Sequence, residues 1–236
     1  MPWSWGQSKA APTFVSAQAL SASSAYEDGL YMLTGSGMRK VSRAMLFAGC
    51  AYGPRFMRFL GVPTKQTTHE EFIVEQCGIP RADLLLCDFT SSAMEHPGYF
   101  LALDRSSRQV LLVIRGSSAW HDALTDLTCS FTRHVSGSFG SKGHAEGSCH
   151  EGMLKSAQWF AKHLREPILR ARRENPGFEF VITGHSLGGG VGSLLALLWL
   201  HDEECNPTAS RLQGFFFGSP CVVSAELAHL GYGYCW

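Results

Sequence analysis

Apolar positions alternate with polar ones in two rhythms along this chain, and the rhythms divide it into helices and strands. Residues 26–60 mix apolar and basic side chains at helical spacing, with the small residues 33–37 interrupting the pattern and Gly53-Pro54 breaking it. Residues 68–76 predict a short helix, with Thr68 as N-cap and Glu71 completing a capping box, stopped by Gly78-Ile79-Pro80. Short apolar runs at 82–89, 99–103 and 109–114 predict strands, the last two joined by a polar hairpin at 104–108. Residues 119–127 read as helical. The Gly- and Ser-rich stretch 128–150 reads as a long surface loop, of the kind lids are made from.

The second half is more regular. Met153, Ala157, Phe160 and Leu164 recur every three or four residues, predicting one long amphipathic helix over 151–173, kinked at Pro167 and ended by Asn175-Pro176-Gly177. Residues 178–183 predict a strand. Residues 187–200 are apolar nearly all round and predict a buried helix, and 212–217 predict another strand before Gly218-Ser219-Pro220 turns the chain away. Strand, sharp turn, helix, strand is a βαβ unit, which implies a parallel sheet covered by helices. Residues 1–25, rich in Ser, Ala and Pro without a period, read as a flexible leader. The remainder, 26–236, reads as one partial domain.

Bulk properties narrow the classes. The chain has 236 residues, 45% apolar and 17% charged, enough for one substantial core. Twenty cations balance twenty anions, so no excess charge calls for a nucleic-acid partner. The basic run Arg170, Arg172, Arg173 suits a helix C-terminus. The eight cysteines show no C-x-x-C pair and no metal-ligand spacing, so reduced thiols in an intracellular setting are expected and no metal site is. No secretory signal opens the chain and no apolar run reaches the ~18 residues that span a bilayer.

The chemistry sits at Gly184-His185-Ser186-Leu187-Gly188, a G-x-S-x-G motif between a predicted strand and a predicted helix. A serine nucleophile must stand clear of its own backbone on a tight turn. Small residues two before and two after it, Gly184 and Gly188, avoid clashes there, and the helix behind it points its positive end at the developing oxyanion. The oxyanion needs two backbone N–H donors. Leu187 is expected to supply one. The loop Arg115-Gly116-Ser117-Ser118 after the 109–114 strand supplies the other, assigned to Ser117, although an ordinary Gly-Ser turn reads the same way.

Taken with the stretches Val113–Ser117, Asp122-Ala123-Leu124-Thr125-Asp126-Leu127, His150-Glu151-Gly152-Met153 and 184–190, the sequence resembles the class 3 lipases, and in particular the sn-1-specific diacylglycerol lipases, from about Ala44 to Pro220. The resemblance implies an α/β-hydrolase fold, a mostly parallel sheet with helices on both faces. It also implies cleavage of the sn-1 ester of diacylglycerol or a related lipid ester at a membrane surface. The protein would then be peripheral to membranes. The site requires no cofactor, and calcium enters only through the family. Asp122, Asp126 and His150 read as structural; His185 lies inside the elbow and cannot turn back to Ser186.

One part of the pattern is missing. Such hydrolases place an acid and then a histidine after the serine. Fifty residues follow Ser186. His201 to Glu204 lie at the far end of the helix, roughly 20 Å away. Glu226 and His229 come in the right order but are three apart on one short stretch, where the family uses one more strand and a later loop. The tail 231–236 does not resemble the family. The expectation is therefore a fold incomplete at its C-terminus, with the triad acid and histidine outside this chain. The competing expectation is a catalytically dead relative that keeps the fold to bind lipid or a partner.

Overall fold

A computed structural model describes residues 35–90, 96–117, 131–132, 147–200, 202–206 and 212–228, with backbone alone at 36, 131–132 and 226. The predicted leader and the stretch carrying Asp122 and Asp126 lie outside the described residues.

Five strands form one mixed sheet in the order β1 (Leu84–Asp88), β2 (Tyr99–Asp104), β3 (Gln109–Ile114), β6 (Glu179–His185) and β7 (Leu212–Phe217). β1–β2 and β2–β3 pair antiparallel, while β3–β6 and β6–β7 pair parallel. The expected mostly parallel sheet is thus parallel only on the side that carries the elbow. The reason is local: Asp104–Gln109 closes a tight hairpin, and a short turn forces antiparallel pairing. Asp104 orders that turn by accepting hydrogen bonds from the backbone N–H and hydroxyl of Ser106.

The period of two along the strands sorts the core into two layers. Leu101, Leu103, Val110, Leu112, Phe180 and Ile182 face α4 (Glu151–His163), α5 (Arg165–Glu174) and α6 (Leu187–Leu198). Phe100, Ala102, Leu111, Val113 and Val181 face α1 (Gly35–Cys50) and α3 (His69–Cys77). Helices therefore cover both faces.

Several elements differ from the sequence expectation. α1 runs through Gly35-Ser36-Gly37, where an interruption was expected; Lys40 and Arg43 pin it to the sheet through Glu179 and the buried Asp104. Tyr52 then precedes a separate short helix, α2 (Gly53–Phe59), without capping it through its side chain. The 82–89 run begins with a 3-10 turn, Arg81–Asp83, before β1 starts. The helix expected over 151–173 is two helices, and the break falls at Leu164, one turn before Pro167. A proline ring collides with the carbonyl four residues back, here that of His163, so α4 ends there and Pro167 sits harmlessly in the first turn of α5. The 128–150 loop also contains structure: β4 (Phe131–Thr132) pairs with β5 (Cys149–His150). The end of that loop is stitched to the segment after β7, His150 N–H donating to the Val222 carbonyl and Ser224 N–H to that of Ser148. A last short helix, α7 (Ala225–Ala228), follows.

Thr68 behaves as read: its hydroxyl accepts from the Glu71 N–H at 3.2 Å, and Gly78 closes α3 in the left-handed region at φ 63°. Thr68→Ala is expected to cost about 1 kcal/mol, read as a lower midpoint in urea with unchanged slope. An unchanged midpoint would show that the cap contributes nothing.

Candidate active site

Ser186 sits between β6 and α6 at φ 56° and ψ −128°, one of two non-glycine residues at positive φ among the described residues. Such a conformation costs of order 1–3 kcal/mol and persists only where surroundings over-determine it. Here they do. The Ser186 N–H donates to the Phe217 carbonyl at 2.8 Å, and its carbonyl accepts from the Gly190 N–H at 3.1 Å, starting α6.

The two elbow glycines are required by contact. A Cβ on Gly184 would lie 2.6 Å from the Gly188 carbonyl, and one on Gly188 would lie 2.1 Å from the Ile114 carbonyl oxygen. β6, the start of α6 and the end of β3 therefore close on one another backbone to backbone. Glycines further along α6 extend the close approach. A Cβ on Gly190 would meet Met153 at 2.8 Å and Val222 at 2.9 Å, and one on Gly192 would meet Phe216 at 2.7 Å. The run Gly188-Gly189-Gly190 thus sets how deeply the helix N-terminus seats against the sheet.

The loop after β3 lies against this elbow. Arg115 N–H donates to the Gly98 carbonyl at 2.8 Å. A Cβ on Gly116 would stand 2.5 Å from the His185 carbonyl oxygen and 2.3 Å from the Tyr52 hydroxyl. Ser117, half-exposed, follows directly. The structure therefore brings the predicted oxyanion loop to the predicted nucleophile, with the N-terminus of α6 at Leu187 between them.

His185 points away from Ser186. Its Nδ1 lies 2.8 Å from the Tyr52 hydroxyl, with the rings edge to face. Burial pushes the Tyr52 phenol up to about 12, against the opposing pull of Arg115. Tyr52 was not singled out from the sequence. It joins α2, the elbow and the loop after β3, and the only sequence signal nearby was the Gly53-Pro54 break. Beside it, the buried Arg115 guanidinium lies over the Phe89 ring, and His69 stacks on the same ring with centroids 4.2 Å apart.

His150 is a helix cap. Its Nδ1 accepts from the Met153 N–H at 3.3 Å at the start of α4, and the residue is 5% exposed. The remaining described histidines are also occupied: His163 bonds the Trp159 carbonyl, and His96 packs on the Trp159 ring. His229 and the Glu226 side chain lie outside the described residues. No group of His, Cys, Asp and Glu among the described residues has metal-binding geometry, and the six described cysteines are free thiols.

Burial holds His185 below the usual histidine range, and burial followed by Arg115 and Arg55 does the same for His69. Their neutral forms are favoured in the fold, whereas the unfolded chain takes up these protons near pH 6.5. Just below that value the unfolded state binds more protons, so stability is full above about pH 6.5 and falls as pH drops. The melting temperature is expected to fall between pH 7 and pH 5, and to fall less in His69→Phe, which keeps the stack and removes the titration. Equal slopes in the two proteins would refute this.

Comparison with known proteins agrees with this geometry. A family profile described as Lipase (class 3) matches residues 111–233, just over half of the chain. The match runs beyond Pro220 into Gly231-Tyr232-Gly233, so the tail resembles the family further than the motifs alone indicated. A lipase of Rhizopus niveus is 28% identical over 145 residues, covering 61% of this chain and 35% of that protein. Diacylglycerol lipase-alpha of Homo sapiens is 27% identical over 152 residues, covering 61% of this chain and 13% of that protein. The aligned stretch is thus about a third of the fungal lipase and a smaller part of the human one. Among solved structures, the Rhizomucor miehei lipase propeptide complex aligns with a TM-score of 0.60 at 22% identity, covering 86% of this chain and 60% of that one. The lipase from Rhizopus microsporus var. chinensis gives 0.61 at 20%, covering 83% and 62%. These likenesses show a shared α/β-hydrolase fold.

Proposed function

Because the chain belongs to the class 3 lipase family, we propose that it is the nucleophile-bearing part of a lipid-ester hydrolase, with diacylglycerol as the substrate that best fits its relatives. Ser186 is the nucleophile, and the N–H groups of Leu187 and Ser117 are the oxyanion donors. The observation that carries this reading is the strained Ser186 turn, held by glycines that no side chain could replace, with the Gly116 loop closed against it. A protein with no use for the serine at this turn gains nothing by keeping that strain.

The chemistry runs as an acyl transfer. The Ser186 hydroxyl oxygen attacks the ester carbonyl carbon and passes its proton to a base. The tetrahedral oxyanion rests on the two N–H groups, and the glycerol alkoxide leaves with a proton, giving an acyl-enzyme that water then cleaves to fatty acid. Monoacylglycerol is the other product. Among the described residues no carboxylate–histidine pair stands beside Ser186, so the acid and base lie outside the described residues.

Diacylglycerol lipase-alpha and the secreted mono- and diacylglycerol lipase 1 of Fusarium solani carry that substrate in their names, which favours diacylglycerol over phospholipid here. The protein isolated from its own cells should release fatty acid from diacylglycerol faster than from triacylglycerol or phosphatidylcholine, and Ser186→Ala should abolish release. Acylglycerol cleavage that survives Ser186→Ala would overturn the assignment. The second reading, a dead lipase fold that binds lipid, is favoured by one observation: all five described histidines are turned to other partners. Lipid binding without hydrolysis in the same preparation would support it.

A further inference from the structure

The two most exposed large apolar side chains among the described residues are neighbours. Phe59 is 82% and Leu60 55% exposed, at the tip of α2. They are held out by a built turn. Gly61 adopts φ 83°, its N–H donates to the Arg58 carbonyl at 2.9 Å, and Val62 N–H donates to that of Met57 at 2.9 Å. The Arg58 guanidinium folds back to the carbonyls of Thr64 and Gln66. Phe59 and Leu60 therefore face water because the backbone fixes them there.

Charge around this tip has one sign along the chain. Residues 35–68 contain six cations and no carboxylate. Lys40 and Arg43 are spent on Glu179 and Asp104 in the body of the fold. Arg55, Arg58 and Lys65 surround the tip, all exposed, and none of them has an ion-pair partner among the described residues. The nearest acids belong to α3. Glu70 is paired with Arg81, Glu75 accepts from Gln66, and Glu71 is exposed on the first turn.

The tip is also tied to the elbow. Tyr52, which precedes α2, meets His185 and the Gly116 loop through its hydroxyl, and seven helical residues span only about 10 Å. Whatever surface receives Phe59 is therefore brought to the same end of the molecule as Ser186.

We propose that the α2 tip is a docking surface for an anionic lipid bilayer, with Phe59 and Leu60 entering the headgroup–acyl boundary and Arg55, Arg58 and Lys65 meeting lipid phosphate and carboxylate groups. A neutral protein partner would explain the apolar pair but not the cations around it. The proposal deepens the lipid-ester reading by naming the surface that delivers the site to its substrate. Binding is measured without turnover, so failure of hydrolysis and failure of docking are separate results.

The test is sedimentation of the full chain with vesicles of phosphatidylcholine alone and of phosphatidylcholine with one part in three phosphatidylserine, followed by circular dichroism of each variant. Binding is expected to be stronger on the phosphatidylserine vesicles and to weaken with salt. Phe59→Ser with Leu60→Ser should weaken it at least about tenfold. Arg55→Gln with Lys65→Gln should weaken it about 25-fold, on the anionic vesicles alone. A Phe59→Trp variant should shift its emission to shorter wavelength on those vesicles. Met38→Ser, which removes an exposed apolar side chain on α1, should change nothing. Absence of binding to phosphatidylserine vesicles, or binding unchanged in both double variants, or no spectral shift, would overturn the proposal.

Discussion

Gly188→Ala is expected to abolish soluble, folded protein, or to leave it destabilised by more than about 3 kcal/mol, at the upper end of what overpacking costs. The added methyl would stand 2.1 Å from the Ile114 carbonyl oxygen and 2.8 Å from the Arg115 carbonyl carbon. Both are backbone atoms. Ile114 lies in the middle of the sheet, paired with Tyr99 on one side and Gly184 on the other. No rotamer change can relieve the contact, so either β3 or the start of α6 must move, and the sheet holds β3 on both sides. The control is Gly49→Ala in α1, where a Cβ would meet nothing within 4 Å. That change should stabilise by about 0.5–1 kcal/mol, through helix propensity alone. Equal stability of the two variants, by urea titration, would refute the account of the elbow.

The contrast between those glycines shows how much of the site was legible in the sequence. G-x-S-x-G announced Gly184, Ser186 and Gly188, because strand–turn–helix context and residue size are both local. The strands 99–103, 109–114 and 212–217 were legible for the same reason: short apolar runs bounded by turn residues. The pairing direction of the sheet was less so, since a βαβ signal speaks only for β6 and β7. The break before Pro167 was misplaced because a proline acts on the carbonyl four residues back and not on its own position. Tyr52 was invisible for a different reason. Its partners, His185 and Gly116, lie 133 and 64 positions away, and no period or spacing encodes such a meeting. His150 was read correctly as structural, yet its reason, capping α4 through Nδ1, depends on where α4 begins.

A polypeptide of residues 1–236 made on its own is expected to hydrolyse a short-chain ester no faster than its Ser186→Ala variant. A general base must reach the serine hydroxyl within hydrogen-bond distance. His185, the nearest in sequence, turns its ring to Tyr52, and its backbone runs straight into the Ser186 turn. His150 caps α4 through Nδ1 and its Nε2 is buried without a hydrogen-bond partner, so it does not reach the serine hydroxyl; His163 and His96 belong to the Trp159 cluster, and His69 is stacked on Phe89. With no base beside it among the described residues, the hydroxyl is expected to stay protonated at neutral pH. In a well-studied protease, loss of the Ser–His couple costs about 10⁶ in rate, or roughly 8 kcal/mol of barrier. The proposed oxyanion donors and substrate binding would remain, and on their own they supply a far smaller acceleration. The measurement is release of p-nitrophenol from a butyrate ester by the folded polypeptide and by Ser186→Ala. Robust turnover that vanishes in the alanine variant would mean that a base lies within these residues. Glu226, within α7, and His229, the next residue after α7 in the sequence, would then be the pair to substitute first. Their loss would have to remove turnover while leaving the helical signal of the fold intact.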